Sequence, residues 1–259
     1  MMLSQMQRDA IAQRDMAWLP LPLEMGSSPH SMAAHLRHTA RLLRNRHLDS
    51  PCSEAMRHLT GLFERSVQPA QRLGLACRSG CAYCCKQPVT LLAPEAFFLA
   101  SQIRGRSNQI AAMADAAHAF RGLAWDGRWH GALPCPLLEE SACTAYSARP
   151  FSCRGFVSRD VDACRVFEQS GKPVAMPPDF VSVLYACRMI LVAAIRLAGL
   201  KDEVFEMNAA ATVALAGNDV ERHWLQGKAV FKDLERGPQP PPQFEANIQK
   251  MIAFVAPTV

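Results

Sequence analysis

The stretch Cys77-Arg78-Ser79-Gly80-Cys81-Ala82-Tyr83-Cys84-Cys85 (CRSGCAYCC, residues 77–85) sets four thiols in nine positions, and its reading decides how the chain is organised. Positions i, i+4, i+7 and i+8 also describe one face of a helix, and cysteine buries readily. Gly80, with Arg78 and Ser79 beside it and few aliphatic residues around it, argues against a core helix. Disulfides are opposed by the neighbours Cys84 and Cys85: a bridge between adjacent residues is strained, and separate bridges need partners in divergent directions. Metal remains, since soft thiolates two or three residues apart can wrap a tetrahedral ion or hold the irons of a cluster.

Downstream partners exist. "PCPLLEESACTAYSARPFSCRGF" (134–156) brings Cys135, Cys143 and Cys153, and "RDVDACRVF" (159–167) brings Cys164. Eight candidate thiolates allow two four-coordinate sites, or one site with further thiols left for redox work. Cys52 and Cys187 read as core. Between about residues 122 and 178 periodicity is lost, and so long an irregular stretch inside a compact domain calls for an organising centre. Four thiolates around a divalent metal, or around a four-iron cluster in its 2+ state, leave a charge near −2 that nearby cations must offset. Arg78, Lys86, Arg149, Arg154, Arg159 and Arg165 are interleaved with the cysteines and are expected either to do this or to be ordinary surface charges. Such cations also lower thiol pKa values.

At 259 residues and 49% hydrophobic, the chain can bury a real core without metal or disulfides. Its first residues, "MMLSQMQRDAIAQRDMAW", hold no apolar run of the signal-peptide kind, so a cytoplasmic, thiol-reducing location is expected. The net charge of +5 gathers partly in "HLRHTARLLRNRH" (35–47). With no aromatic interleaving or nucleic-acid motif, that run reads as the solvated face of an amphipathic helix.

The spacing predicts a mainly α fold, a helical bundle-like domain around an irregular cysteine-rich metal-binding segment. Ser28-Pro29 and Ser50-Pro51 begin two helices as N-cap and first helical residue, with Met32, Leu36, Ala40 and Leu43, then Met56, Leu59, Leu62, Phe63 and Val67, on their apolar faces. Pro94 and Glu95 open a third helix that Gly105 stops, and Ser107 caps a fourth that Gly122 ends. After Pro177 and Pro178, residues 179–200 are expected to form an apolar helix in which Ser182, Tyr185, Arg188 and Arg196 mark one stripe, so it reads as a buried helix, not a membrane span. Helices are expected over 202–216, over 218–236 with an Asn218/Glu221 capping box, and near 244–255 after the stiff connector "GPQPPPQ". Three regions result, 1–74, 75–170 and 177–259, expected to form one compact unit.

The run CxxxCxxCC at 77–85, followed by Cys135-Pro136-Leu137-Leu138 and "CTAYSARPFSCR" at 143–154, resembles the YkgJ-type CxxCxxCC cysteine-cluster family, zinc- or iron-chelating domains to which flagellin lysine N-methylases look related. The resemblance covers about residues 75–165. It implies chelation by Cys77, Cys81, Cys84, Cys85, Cys135, Cys143 and Cys153, with Tyr146, Arg149 and Pro150 as framework. Cys164 falls where such proteins often carry further cysteines. Glu95 resembles a recurrent family position, with helix N-terminal charge as its simpler role.

Cys77, Cys81 and Cys84 also spell CxxxCxxC, the spacing of radical S-adenosylmethionine enzymes, but those motifs follow a strand of a β/α barrel and no strand–helix alternation is present here. Zinc would lock the irregular segment as a closed knot. An iron–sulfur cluster, [4Fe–4S] by preference, tolerates scattered spacing better, and Cys135-Pro136 matches the cysteine–proline step of ferredoxin-like ligation. The function expected is a redox or structural metal module acting with a protein partner. The alternative is an enzyme related to protein-lysine N-methyltransferases acting on a protein substrate, although no glycine-rich strand-to-helix loop for S-adenosylmethionine is visible. His118 and His130 read as packed or surface residues.

Overall fold

The structure is a computed structural model that describes residues 29–67, 72, 74–78, 80–123, 133–238 and 242–255. Ser28, His130 and the first eighteen residues lie outside this range.

Helices carry the architecture, as expected from the apolar periodicity. α1 (Pro29–Arg44) and α2 (Pro51–Ser66) pack against each other, and both lie against the long α7 (Pro178–Leu197). Leu36, Leu43, Leu59 and Phe63 bury the predicted faces. Complete burial of each such side chain contributes about 1.5–3 kcal/mol. Ser50 caps α2 by accepting from the Ser53 amide at 3.3 Å, with Pro51 in the first turn. α7 is the one helix among the described residues long and apolar enough to cross a membrane, and 78% of its most apolar window is buried inside the protein. Its polar stripe is used: Arg196 is held by Asp202 and by Glu245 of α10 (Pro242–Val255).

α3 (Ala93–Ile103) and α4 (Ser107–Phe120) sandwich α8 (Met207–Leu215). α4 departs from expectation in its cap. Arg106 occupies the N-cap, and Ser107 is already helical without a side-chain cap bond. The helix expected over 202–216 begins only at Met207, because residues 204–206 form strand β4 (Val204–Glu206), paired antiparallel with β1 (Thr90–Leu92). Glu206 then caps α8, accepting from the Asn208 and Ala209 amides at 3.0 and 2.8 Å.

The helix expected over 218–236 is a single short one, α9 (Val220–Leu225). Gly227, at φ +83°, supplies the left-handed residue that turns the chain out of it, ten residues before the Gly237 stop read from the sequence. Asp219, not Asn218, is its N-cap, and Glu221 serves another helix. Its carboxylate accepts from Ser50 Oγ and from the Cys52 amide, both at 2.8 Å, so it completes the N-terminus of α2 from across the molecule.

The middle of the chain holds more structure than its composition suggests. A minimal hairpin pairs β2 (Leu138–Glu139) with β3 (Ala142–Cys143) through Glu140 and Ser141, both at positive φ. Two short turns of helix follow, at Tyr146–Ala148 and α5 (Phe151–Arg154). α6 (Val161–Ser170), unanticipated from periodicity, is capped by Asp160 and closed by Gly171 at φ +68°. Gly155 lets α5 meet α7: a Cβ there would stand 2.4 Å from a Leu184 methyl carbon.

Candidate metal centre

Cys77, Cys81 and their neighbours form a loop that becomes a 3₁₀ turn at Tyr83–Lys86, so the helical-face reading of this stretch does not hold. The loop is tied down from two directions. The Ala76 amide donates to Ser158 O at 2.8 Å, and the Cys77 thiol faces the same carbonyl at 3.9 Å. Further along, the Cys135 amide donates to Cys85 O at 2.9 Å. Cys135 opens the turn to β2, Cys143 ends β3, and Cys153 rides on α5, whose first amide, that of Phe151, is held by Glu95 Oε1 at 2.8 Å. The other carboxylate oxygen of Glu95 accepts from the Leu92 amide at 2.8 Å. Glu95 is 1% exposed and therefore does more than decorate a helix terminus: it joins the start of α3 to the turn that presents Cys153. Burial raises its pKa, while Arg188 and the two amides oppose that shift.

All ten cysteines carry free thiols, and the eight candidates share an electrostatic neighbourhood. Burial pushes the Cys153 thiol well above the ordinary range, and Cys135, Cys84 and Cys143 push it further. Burial, then Cys143, Glu206 and Cys84, bring Cys135 up to about 11. A hydrogen bond with Cys85, followed by burial, raises Cys84. Cys77 and Cys164 are raised first by burial, Cys77 also by Cys84 and Cys81, and Cys164 by Cys77, Cys81 and Cys84. Cys143 is raised by burial. These groups keep their protons until a cation arrives; a bound metal supplies that charge and releases them.

Arg149 is the cation these thiols share. It opposes the upward shifts of Cys77, Cys84, Cys143 and Cys153, and its guanidinium lies 3.6 Å over the Tyr146 ring. Three other interleaved cations form ion pairs. Lys86 pairs with Glu168, Arg165 with Asp162, and the buried Arg154 with Glu64.

Cys52 and Cys187 stand apart, fully buried in the helical core. Cys52 is influenced by burial and by Glu221, and Cys187 by burial and by Arg154, with no thiol among the causes of either shift. His118 lies in the last turn of α4.

The donor set fits zinc or iron: soft, disulfide-free thiols on turns and short helices, with a cation beside them. Among the described residues no three His, Cys, Asp or Glu side chains already close on a single ligating point. The thiols are gathered but not clenched, so metal uptake would include the last side-chain rotations.

Residues 76–172 match the model of the CxxCxxCC family, described as a "Putative zinc- or iron-chelating domain". The cysteine-rich middle of this chain is thus similar to the CxxCxxCC domain, and metal chelation is the property that the family description and this donor set have in common. No curated protein and no solved structure matches the chain.

Proposed function

We propose that the chain is a metal-binding protein whose eight candidate thiols supply the ligands for an iron–sulfur cluster with a redox or structural role, acting with a protein partner in a thiol-reducing compartment. One observation carries the reading. Thiols from residues 77–85, from the 135–143 hairpin, from α5 and from α6 lie close enough to raise one another's pKa values, while none is spent on a disulfide. Iron–sulfur is favoured over a lone ion because the thiols come from separate turns, a hairpin and short helices, and a cluster interposes its own irons and sulfides between its ligands. The Cys135-Pro136 step adds to this.

A second reading, structural zinc, draws on the hairpin and short turns between residues 138 and 154. Elements this small do not stand without tertiary support, and a closed thiolate knot would provide it.

Anaerobic purification of the full chain, with iron, zinc and acid-labile sulfide quantified beside an absorption spectrum, tests both. Brown protein with iron and sulfide in matching amounts is expected. Colourless protein with stoichiometric zinc selects the second reading, and metal-free protein that takes up neither overturns both.

A further inference from the structure

Beyond binding metal, we infer that the thiols form two adjacent four-thiolate centres, Cys77, Cys81, Cys84 and Cys164 in one, and Cys85, Cys135, Cys143 and Cys153 in the other. The inference rests on the metal-binding reading above and assigns which sulfurs act together.

Packing divides them. Cys164 sits with Phe156, Phe167 and Val174 in a small apolar cluster separate from the main core, and Tyr83 and Cys84 pack against that cluster. Cys135, Cys143 and Cys153 pack instead against the main helical core. The first group is organised around α6, which lies directly on the Tyr83–Lys86 turn. Ser158, 1% exposed, is its backbone anchor: its carbonyl holds the Ala76 amide and faces the Cys77 thiol. Cys164 bonds to the Ser158 side chain, which brings the two ends of this group to one residue.

The second group is organised around β1, α5 and the hairpin. Cys85 is locked to Cys135 through the 2.9 Å amide–carbonyl bond. Leu138 donates to Cys135 O at 3.0 Å and is the register partner of Cys143 across the hairpin, so Cys135 and Cys143 belong to one rigid turn. Cys153 reaches them from α5, which packs on β1 and α7.

The adjacent pair Cys84 and Cys85 is then the seam. Cys84 packs against the small apolar cluster, whereas Cys85 is tied through its carbonyl to Cys135, so the two consecutive cysteines can serve two centres. Cys84 and Cys85 are within hydrogen-bond reach of each other, so the two centres abut.

Chemical footprinting of the unmutated full chain tests this without risk to the fold. Apo protein loaded anaerobically with about one equivalent of zinc is alkylated with iodoacetamide, and the protected cysteines are read on intact chains by mass spectrometry. Protection should come in two correlated sets of four, with about two equivalents needed to protect all eight. A second arm uses the pairs Cys77→Ser/Cys81→Ser and Cys143→Ser/Cys153→Ser, each expected to lose half of the bound zinc and keep the other half. One saturating equivalent that either pair abolishes, or protection that crosses the two sets, overturns the partition while leaving metal binding intact. A wild-type chain that binds no metal overturns the metal-binding reading itself.

Discussion

Arg149 offers a cation to four thiols while its own guanidinium is steadied by Tyr146, itself 62% exposed. A positive charge held beside a thiolate centre offsets part of its negative charge, as outer partners of metal ligands do. Arg149→Gln should therefore weaken zinc affinity by about 10–100-fold in a chelator competition, with unchanged helical circular dichroism. Arg149→Lys should recover part of the loss. Glu95 is a different case, since its two oxygens each hold an otherwise buried amide. Glu95→Gln keeps one acceptor and turns an amide donor toward the other N–H, so urea unfolding of the apo protein should show a loss of about 1–3 kcal/mol. A control is Cys52→Ala, in the core beside Glu221, which should leave metal content untouched, whereas Cys81→Ala should lower it.

At the scale of elements, two contacts make opposite demands. α1 and α2 bring His35 Nδ1 and His58 Nε2 to 3.2 Å, with the His38 ring 4.4 Å from that of His58 and Arg65 near enough to act on both. Burial first, then these neighbours, lowers His35 and brings His58 down to about 4. The unfolded chain takes up these protons near its ordinary value of 6.5, the folded chain only at lower pH. Stability is full above about pH 6.5 and is lost as pH falls toward about 4. The urea midpoint should fall between pH 7 and pH 5, and His58→Gln should flatten that fall; an identical slope in the variant would clear the histidines of responsibility. α5 and α7 meet through the absence of a side chain at Gly155. Gly155→Ala should destabilise the protein by about 1–3 kcal/mol through overpacking against Leu184, and Leu184→Ala should relieve part of that in a double-mutant cycle.

Across the whole molecule, what the sequence discloses depends on the range of the interaction. The apolar faces of α1, α2 and α7 repeat every three to four residues, so their burial is legible from spacing alone. Cys52 and Cys187 are legible as core for the same reason. The candidate ligands are legible because thiols in such density have few other uses. Glu221 misleads: a capping-box pattern three residues after Asn218 is a local signal, whereas its actual partners are Ser50 and Cys52. β4 is hidden likewise, since Val204–Glu206 is a strand only because Thr90–Leu92 lies alongside. α6 could have been found from Asp160, Gly171 and the i, i+3 pair Cys164 and Phe167, a short signal lost among the cysteines. The proposed partition of thiols has no imprint in spacing, because it follows from the two apolar clusters against which Cys84 and Cys164, and Cys135, Cys143 and Cys153, pack.

The cap that Glu221 places on α2 comes from 169 residues further along the chain. A polypeptide emerging from the ribosome carries the first turn of α2, and all ten cysteines, ahead of that carboxylate in order of synthesis. The helical scaffold is therefore finished last, and the thiols are presented to the cell while the frame that will hold them is still incomplete. Metal delivery and the closing of the fold thus compete in time, and a nascent chain arrested before residue 221 would show whether the sulfurs are filled before or after the bundle shuts.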